Sequence, residues 1–147
     1  MNKPFLIITT IIIGLFTYGI SIENDKVEGR WYTKEQVNFG KEVFINNCAS
    51  CHGKNAEKTV NWKTKLSNGS YPPPPLNDKA HAWHHPKWQL MKIINEGGAA
   101  YGGKMPSFKK VLTQEEKEAA IAYFQSFWSD EIYELWNVKL KGLKEKK

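Results

Sequence analysis

The chain has two cysteines, at positions 48 and 51, and a histidine follows the second at once: Cys48-Ala49-Ser50-Cys51-His52. Thiols at this spacing reach two vinyl groups on one edge of a porphyrin. The histidine then lies beneath the ring, with a neutral imidazole nitrogen to offer to iron. The motif predicts one covalently attached haem c, held by Cys48 and Cys51 and ligated by His52. Other chemistries also use a cysteine pair. A structural zinc site needs four ligands and, with no second pair, would have to recruit histidines from the cluster at 81 to 85. A thioredoxin-like redox pair needs strand and helix alternation around it, which the sequence lacks. A disulfide across two residues would staple almost nothing.

A second candidate for iron is Met105, in the glycine-rich stretch Gly97-Gly98-Ala99-Ala100-Tyr101-Gly102-Gly103-Lys104-Met105-Pro106. A thioether is soft and polarisable, and it suits the sixth position of an iron whose fifth ligand is histidine. A lone methionine is more often core packing. This one sits in a loop stiffened by the following proline, and its rivals are only Met1 and Met91.

Two further stretches bear on the chemistry. Four prolines, Pro72 to Pro75, forbid helix and favour an extended chain. Their carbonyls have no N–H of their own residues competing nearby, so one could accept the Nδ1 hydrogen of His52 and leave Nε2 for iron. His81, His84 and His85 invite a metal-site reading. The preferred reading has them hydrogen-bonding haem propionates, capping a helix or lying at the surface, with a dedicated second metal site as the alternative, and each could also compete as an axial ligand.

The elements that must position these groups are helices. Thr33-Lys34-Glu35-Gln36 has the form of a capping box and predicts a helix from about Lys34 to Asn47. Val37, Gly40 and Phe44 fall on one face of it, and Cys48 continues that face. Pro86 and Gly97 bracket a helix to about Glu96. Thr113-Gln114-Glu115-Glu116 is a second capping box opening a helix to about Trp128, with Ala120, Ile121, Phe124 and Trp128 in a stripe. That stripe is the natural partner of the first helix, so the two should cross near Gly40, where the missing side chain permits close approach. Ser129-Asp130-Glu131 opens a short extra helix bearing Ile132, Leu135, Trp136 and Leu140, expected to pack on the domain or on a partner.

At the amino end, Lys3 and the apolar run from Phe5 to Phe16 read as a secretory leader, with an uncleaved membrane anchor as the alternative. Residues 1–22 are thus a signal peptide or anchor, residues 33–128 the cofactor domain, and residues 129–147 a helical extension with a basic tail. The composition, 41% apolar and 13% aromatic, is globular and ample for walling a cofactor. The formal charge of +6 is moderate. It points only weakly to an anionic docking partner, and no nucleic-acid partner is expected.

The Cys48-to-Gly53 motif, the preceding helix with Gly40 and Phe44, Pro74-Pro75-Leu76, Lys104-Met105-Pro106-Ser107-Phe108 and the aromatic last core helix together resemble a class I monohaem bacterial cytochrome c. The likeness covers about residues 33 to 128. It implies an all-α fold of three to five helices round one haem, His52 and Met105 as axial ligands, and a proline carbonyl near Pro74 orienting the histidine. The tetraproline, the histidine cluster and the helix after Ser129 depart from the minimal pattern. The expected function is one-electron transfer with protein redox partners, in the periplasm or at its inner membrane. The alternatives are an electron-transfer subunit of a larger membrane oxidoreductase, or a haem enzyme or gas sensor if Met105 is not a ligand.

Overall fold

The computed structural model describes residues 26–144. The leader or anchor expected at residues 1–22 lies outside them, as do the last three residues of the basic tail. Among the described residues no helix is long and apolar enough to cross a membrane. The chain divides into two compact units between Lys34 and Glu35. In the described part of the first, Lys26 and Thr33 form an antiparallel bridge, and the turn between them is closed by the Val27 N–H on the Tyr32 carbonyl at 3.2 Å.

The second unit is helical and, apart from one isolated bridge, has no strand pairing among its described residues. The helices are α1 (Lys34–Asn47), α2 (Ala49–His52), α3 (Lys87–Glu96), α4 (Gln114–Gln125) and α5 (Asp130–Lys144), with 3-10 turns at Ala82–His84 and Ala99–Tyr101. The all-α expectation holds.

The local sequence sets most helix ends. At α4 the capping box is complete: the Glu116 N–H donates to Thr113 Oγ1 at 3.2 Å, and the Thr113 N–H donates to Glu116 Oε2 at 2.7 Å. α3 starts one residue later than predicted, at Lys87, because Pro86 takes an extended ψ of 158° and acts as the N-cap. Gly97, at φ 85°, ends α3 and donates its N–H to Ile93. With ψ at −178° the backbone there lies in a region essentially confined to glycine, which costs a residue with a Cβ on the order of 1–3 kcal/mol.

The inward face of α1 is Gly40, Val43 and Phe44; Val37 is only half-buried. Val43 packs with Leu112, Ala120 and Phe108. α1 and α4 cross at Gly40, as the two stripes predict: a Cβ placed there would overlap the carbonyl of Ala119. The rings of Phe44 and Tyr123 meet beside this crossing at 5.3 Å.

α4 differs from an amphipathic surface helix. Every residue from Ala119 to Gln125 is buried, so it is the central helix of the unit. It ends at Gln125, three residues before the predicted end, and Trp128 packs from the turn that follows. α5 has 15 residues and is not the short helix expected. It packs on the domain's own Ala82–His84 turn, with Tyr133 and Trp136 buried. Trp128, Tyr133 and Trp136 form one aromatic cluster, with ring centroids 5.3 to 6.5 Å apart. Such pairs add about 0.5–1.5 kcal/mol each beyond the area they bury.

A candidate haem-attachment site

α1 breaks at Cys48, which leaves the helix at φ −120° while its N–H still bonds the Phe44 carbonyl at 2.8 Å. The single turn of α2 is then closed by the Cys51 and His52 N–H groups on the Cys48 carbonyl, at 3.1 and 3.0 Å. Residues three and four apart share a helix face. One tight turn therefore sets Cys48, Cys51 and His52 on a common side. Gly53, at φ 81°, stops the turn and sends the chain away.

Both thiols are free. Cys51 is exposed; Cys48 is half-buried, and that burial, reinforced by the neighbouring Cys51, pushes its pKa up to about 11.

His52 is buried, and its Nδ1 lies 2.9 Å from the carbonyl oxygen of Pro74. A carbonyl can only accept, so Nδ1 carries the hydrogen and Nε2 presents a lone pair. Burial holds the His52 pKa below the ordinary histidine value, and the bond to Pro74 only partly opposes that shift. The ring is therefore neutral at pH 7. A neutral imidazole with a free Nε2, on one turn with two free thiols, is a donor set that fits a covalently held haem.

The proline stretch runs extended beside α2. It is fixed by the Thr59 N–H on the Pro73 carbonyl at 2.9 Å and by the Leu76 N–H on the Ala56 carbonyl at 2.8 Å. At its start, Tyr71 pairs in a parallel bridge with Gly103, and its N–H bonds the Gly102 carbonyl at 2.9 Å. The strap carrying Pro74 and the loop carrying Met105 are thus joined, three residues before one and two before the other. Met105 is half-buried, and its carbonyl accepts from the Gly98 N–H at 3.0 Å. A Cβ at Gly97 would come within 2.7 Å of that same carbonyl oxygen, so the glycine pair lets the methionine loop fold back on the end of α3.

The histidine cluster lies further along the strap. His81 stacks on Trp62 at 4.4 Å and meets His85 edge-on at 5.1 Å, while His84 stacks on Trp83 at 3.8 Å. Burial, then the neighbouring His85, His84 and Lys63, lower the pKa of His81. Among the described residues no three His, Cys, Asp or Glu side chains gather as a metal site would require. A surface groove of about 320 Å³ between α1 and α4, lined by Gln36, Phe39, Gln114, Glu115, Glu118 and Ala119, contains none of the candidate residues.

Three anchoring side chains escaped sequence reasoning. The Tyr123 hydroxyl donates to the Lys54 carbonyl at 3.0 Å, just beyond the motif. The Trp128 indole donates to the Leu76 carbonyl at 2.8 Å, and the Trp136 indole to the His85 carbonyl at 2.8 Å. In sequence Trp128 and Trp136 read as apolar stripe residues, and nothing there singles out Tyr123. The available signal was their chemistry, since a buried phenol or indole needs an acceptor.

An all-α domain closed round a Cys-x-x-Cys-His turn, with the histidine braced by a backbone carbonyl, is a c-type cytochrome domain. The family described as cytochrome c oxidase, cbb3-type, subunit III matches residues 35–124, and the chain belongs to it. The chain is 31% identical over 96 residues to the cbb3-type cytochrome c oxidase subunit FixP of Sinorhizobium medicae (strain WSM419), an overlap of 61% of this chain. It spans only 29% of that relative's length. No solved structure matches. As in the family, the cofactor is covalently bound haem c.

Proposed function

We propose that this chain is a one-electron carrier in which Cys48 and Cys51 hold the haem by thioethers, His52 and Met105 ligate its iron, and the Pro74 carbonyl orients His52. The observation that carries this reading is the 2.9 Å bond from His52 Nδ1 to Pro74, which dedicates Nε2 to a metal. When bound, haem c supplies a one-electron couple. The chain's residues do the rest. Pro74 fixes the imidazole tautomer and raises its donor strength. The buried aromatic side chains of α4 and α5, Tyr123, Phe124, Tyr133 and Trp136, exclude water from the interior of the domain. The Gly97–Gly98 corner and the Tyr71–Gly103 bridge hold the Met105 loop. A thioether in the sixth position favours the reduced state relative to a second histidine. If His52 and Met105 both held the iron, no position would be left for a substrate, which would separate a carrier from a haem enzyme or gas sensor.

The family supports a finer reading: the domain serves as the haem c subunit feeding electrons to a cbb3-type oxidase. Its haem then faces the periplasm, and residues 1–22 carry it there as leader or anchor.

The test is the absorption spectrum of the purified chain. The weak long-wavelength band of methionine-bound ferric haem should be present, and should vanish in Met105→Ala. Absence of the band in the wild-type protein, with ready carbon monoxide binding on reduction, would overturn the His/Met reading. Cys48→Ala or Cys51→Ala should leave at most one thioether, and an unchanged haemochrome spectrum would contradict the attachment. Recovery of the chain with a cbb3-type oxidase from solubilised membranes tests the subunit role.

A further inference from the structure

We infer that Trp128 and Trp136 are positioning residues for His52, their indole N–H groups clamping the two ends of the 76–85 segment so that the Pro74 carbonyl stays on Nδ1. The inference rests on His52 being the proximal ligand.

The strap from Pro72 onward cannot fix itself. Its four prolines have no N–H to donate, and between Pro72 and His81 it forms neither helix nor strand. Where the Pro74 carbonyl points is therefore decided by what grips the strap from outside. Upstream the grip is Tyr71 on Gly102 and Thr59 on Pro73. Downstream, two residues past Pro74, Leu76 is held on both sides: its N–H by Ala56 and its carbonyl by Trp128. The other end is held at His85 by Trp136.

The two indoles are 2% and 3% exposed. An indole N–H so buried loses its water, so giving up the carbonyl would cost the desolvation of an unpaired donor. They are also one body. Their rings meet edge-on at 5.9 Å, and Tyr133 packs against both. Trp136 lies on α5, and both indoles lie past residue 124, where the family match ends. The helix appended to the domain thus holds the carbonyl strap that orients the histidine of the attachment motif.

The experiment uses the full haem-loaded chain with ¹⁵N-labelled histidine, and reads exchange of the His52 Nδ1 hydrogen together with the reduction potential. Trp128→Phe keeps an aromatic ring and removes the N–H. The structure predicts roughly fivefold to tenfold faster exchange, the worth of one hydrogen bond. It also predicts a higher potential, because a loosened Nδ1 bond makes Nε2 a weaker donor to ferric iron. Trp136→Phe should move both readings the same way by less. Trp88→Phe, at a side chain 66% exposed, should move neither.

If Trp128→Phe does not fold, benzothienylalanine at 128 removes the N–H with the ring shape kept. Wild-type exchange and potential in a folded Trp128 variant overturn the clamp. An effect from position 128 alone overturns the part given to Trp136. Failure of the underlying reading shows elsewhere: low-spin haem retained in His52→Ala would remove His52 as ligand, whatever the tryptophan variants do.

Discussion

Gly40 of α1 touches Ala119 of α4 backbone to backbone, and no Cβ can be accommodated between them. This contact joins the helix that ends in the attachment turn to the most buried helix of the unit. The neighbouring Tyr123 Cβ, 3.1 Å from the place a Cβ would occupy, closes the remaining space.

Gly40→Ala should therefore destabilise the domain although alanine is the better helix former. Overpacking costs about 1–3 kcal/mol, and the gain in propensity returns at most about 1 kcal/mol. A net loss of about 1–2 kcal/mol is expected, since the clash is with backbone and falls in the upper part of that range, and it is read as a lower denaturant midpoint with little change in slope. A midpoint equal to or above wild type would show that the helices do not cross there.

Thr113→Ala removes one half of the capping box on α4. Because that helix is the core, the loss of about 1 kcal/mol typical of such caps should appear as global destabilisation. Thr113→Ser should recover most of it; equal losses in the two variants would mean the hydroxyl is not the cap.

The Lys87 ammonium bonds Glu118 at 2.8 Å between α3 and α4. That bond, set partly against burial and helped by Gln114, holds the Glu118 carboxyl below its usual value of 4.5. The unfolded chain thus takes up this proton at a higher pH than the folded one. The contribution is complete above pH 4.5 and is lost as pH falls through the depressed folded value. Lys87→Met should flatten that part of the acid-stability curve. Both side chains are about a third exposed, so the pair is worth less than about 1 kcal/mol. An unaltered curve would deny the pair any role.

Gly97→Ala should act on the methionine loop. Position 97 has φ 85°, and an added Cβ would come within 2.7 Å of the Met105 carbonyl. Relief requires the loop to move, so the ferric methionine band should weaken and carbon monoxide should bind the reduced protein more readily. A wild-type spectrum in a folded variant would mean that the Met105 side chain is placed independently of this corner.

Local sequence carried a large part of this protein. The cysteine spacing names the cofactor chemistry, because thioether attachment fixes three residue types within five positions. Thr113 to Glu116 marks the start of α4, since a capping box is satisfied within one turn. Gly40 between two apolar stripes predicts a helix crossing, since periodicity survives in sequence. The tetraproline shows that a carbonyl without a competing donor is at hand.

What the sequence could not decide is which distant groups meet. Pro74 rather than its neighbours accepts from His52. Tyr71 ties the strap to the Met105 loop. α4 is buried all round from Ala119 to Gln125, and α5 folds back on the histidine cluster with Trp128 and Trp136 bonded to Leu76 and His85. The physical reason is that an indole or a phenol reads as apolar surface in a periodic pattern. The partner of its single N–H or O–H lies 51 to 69 residues away and is a backbone carbonyl, which every residue possesses and no residue type announces.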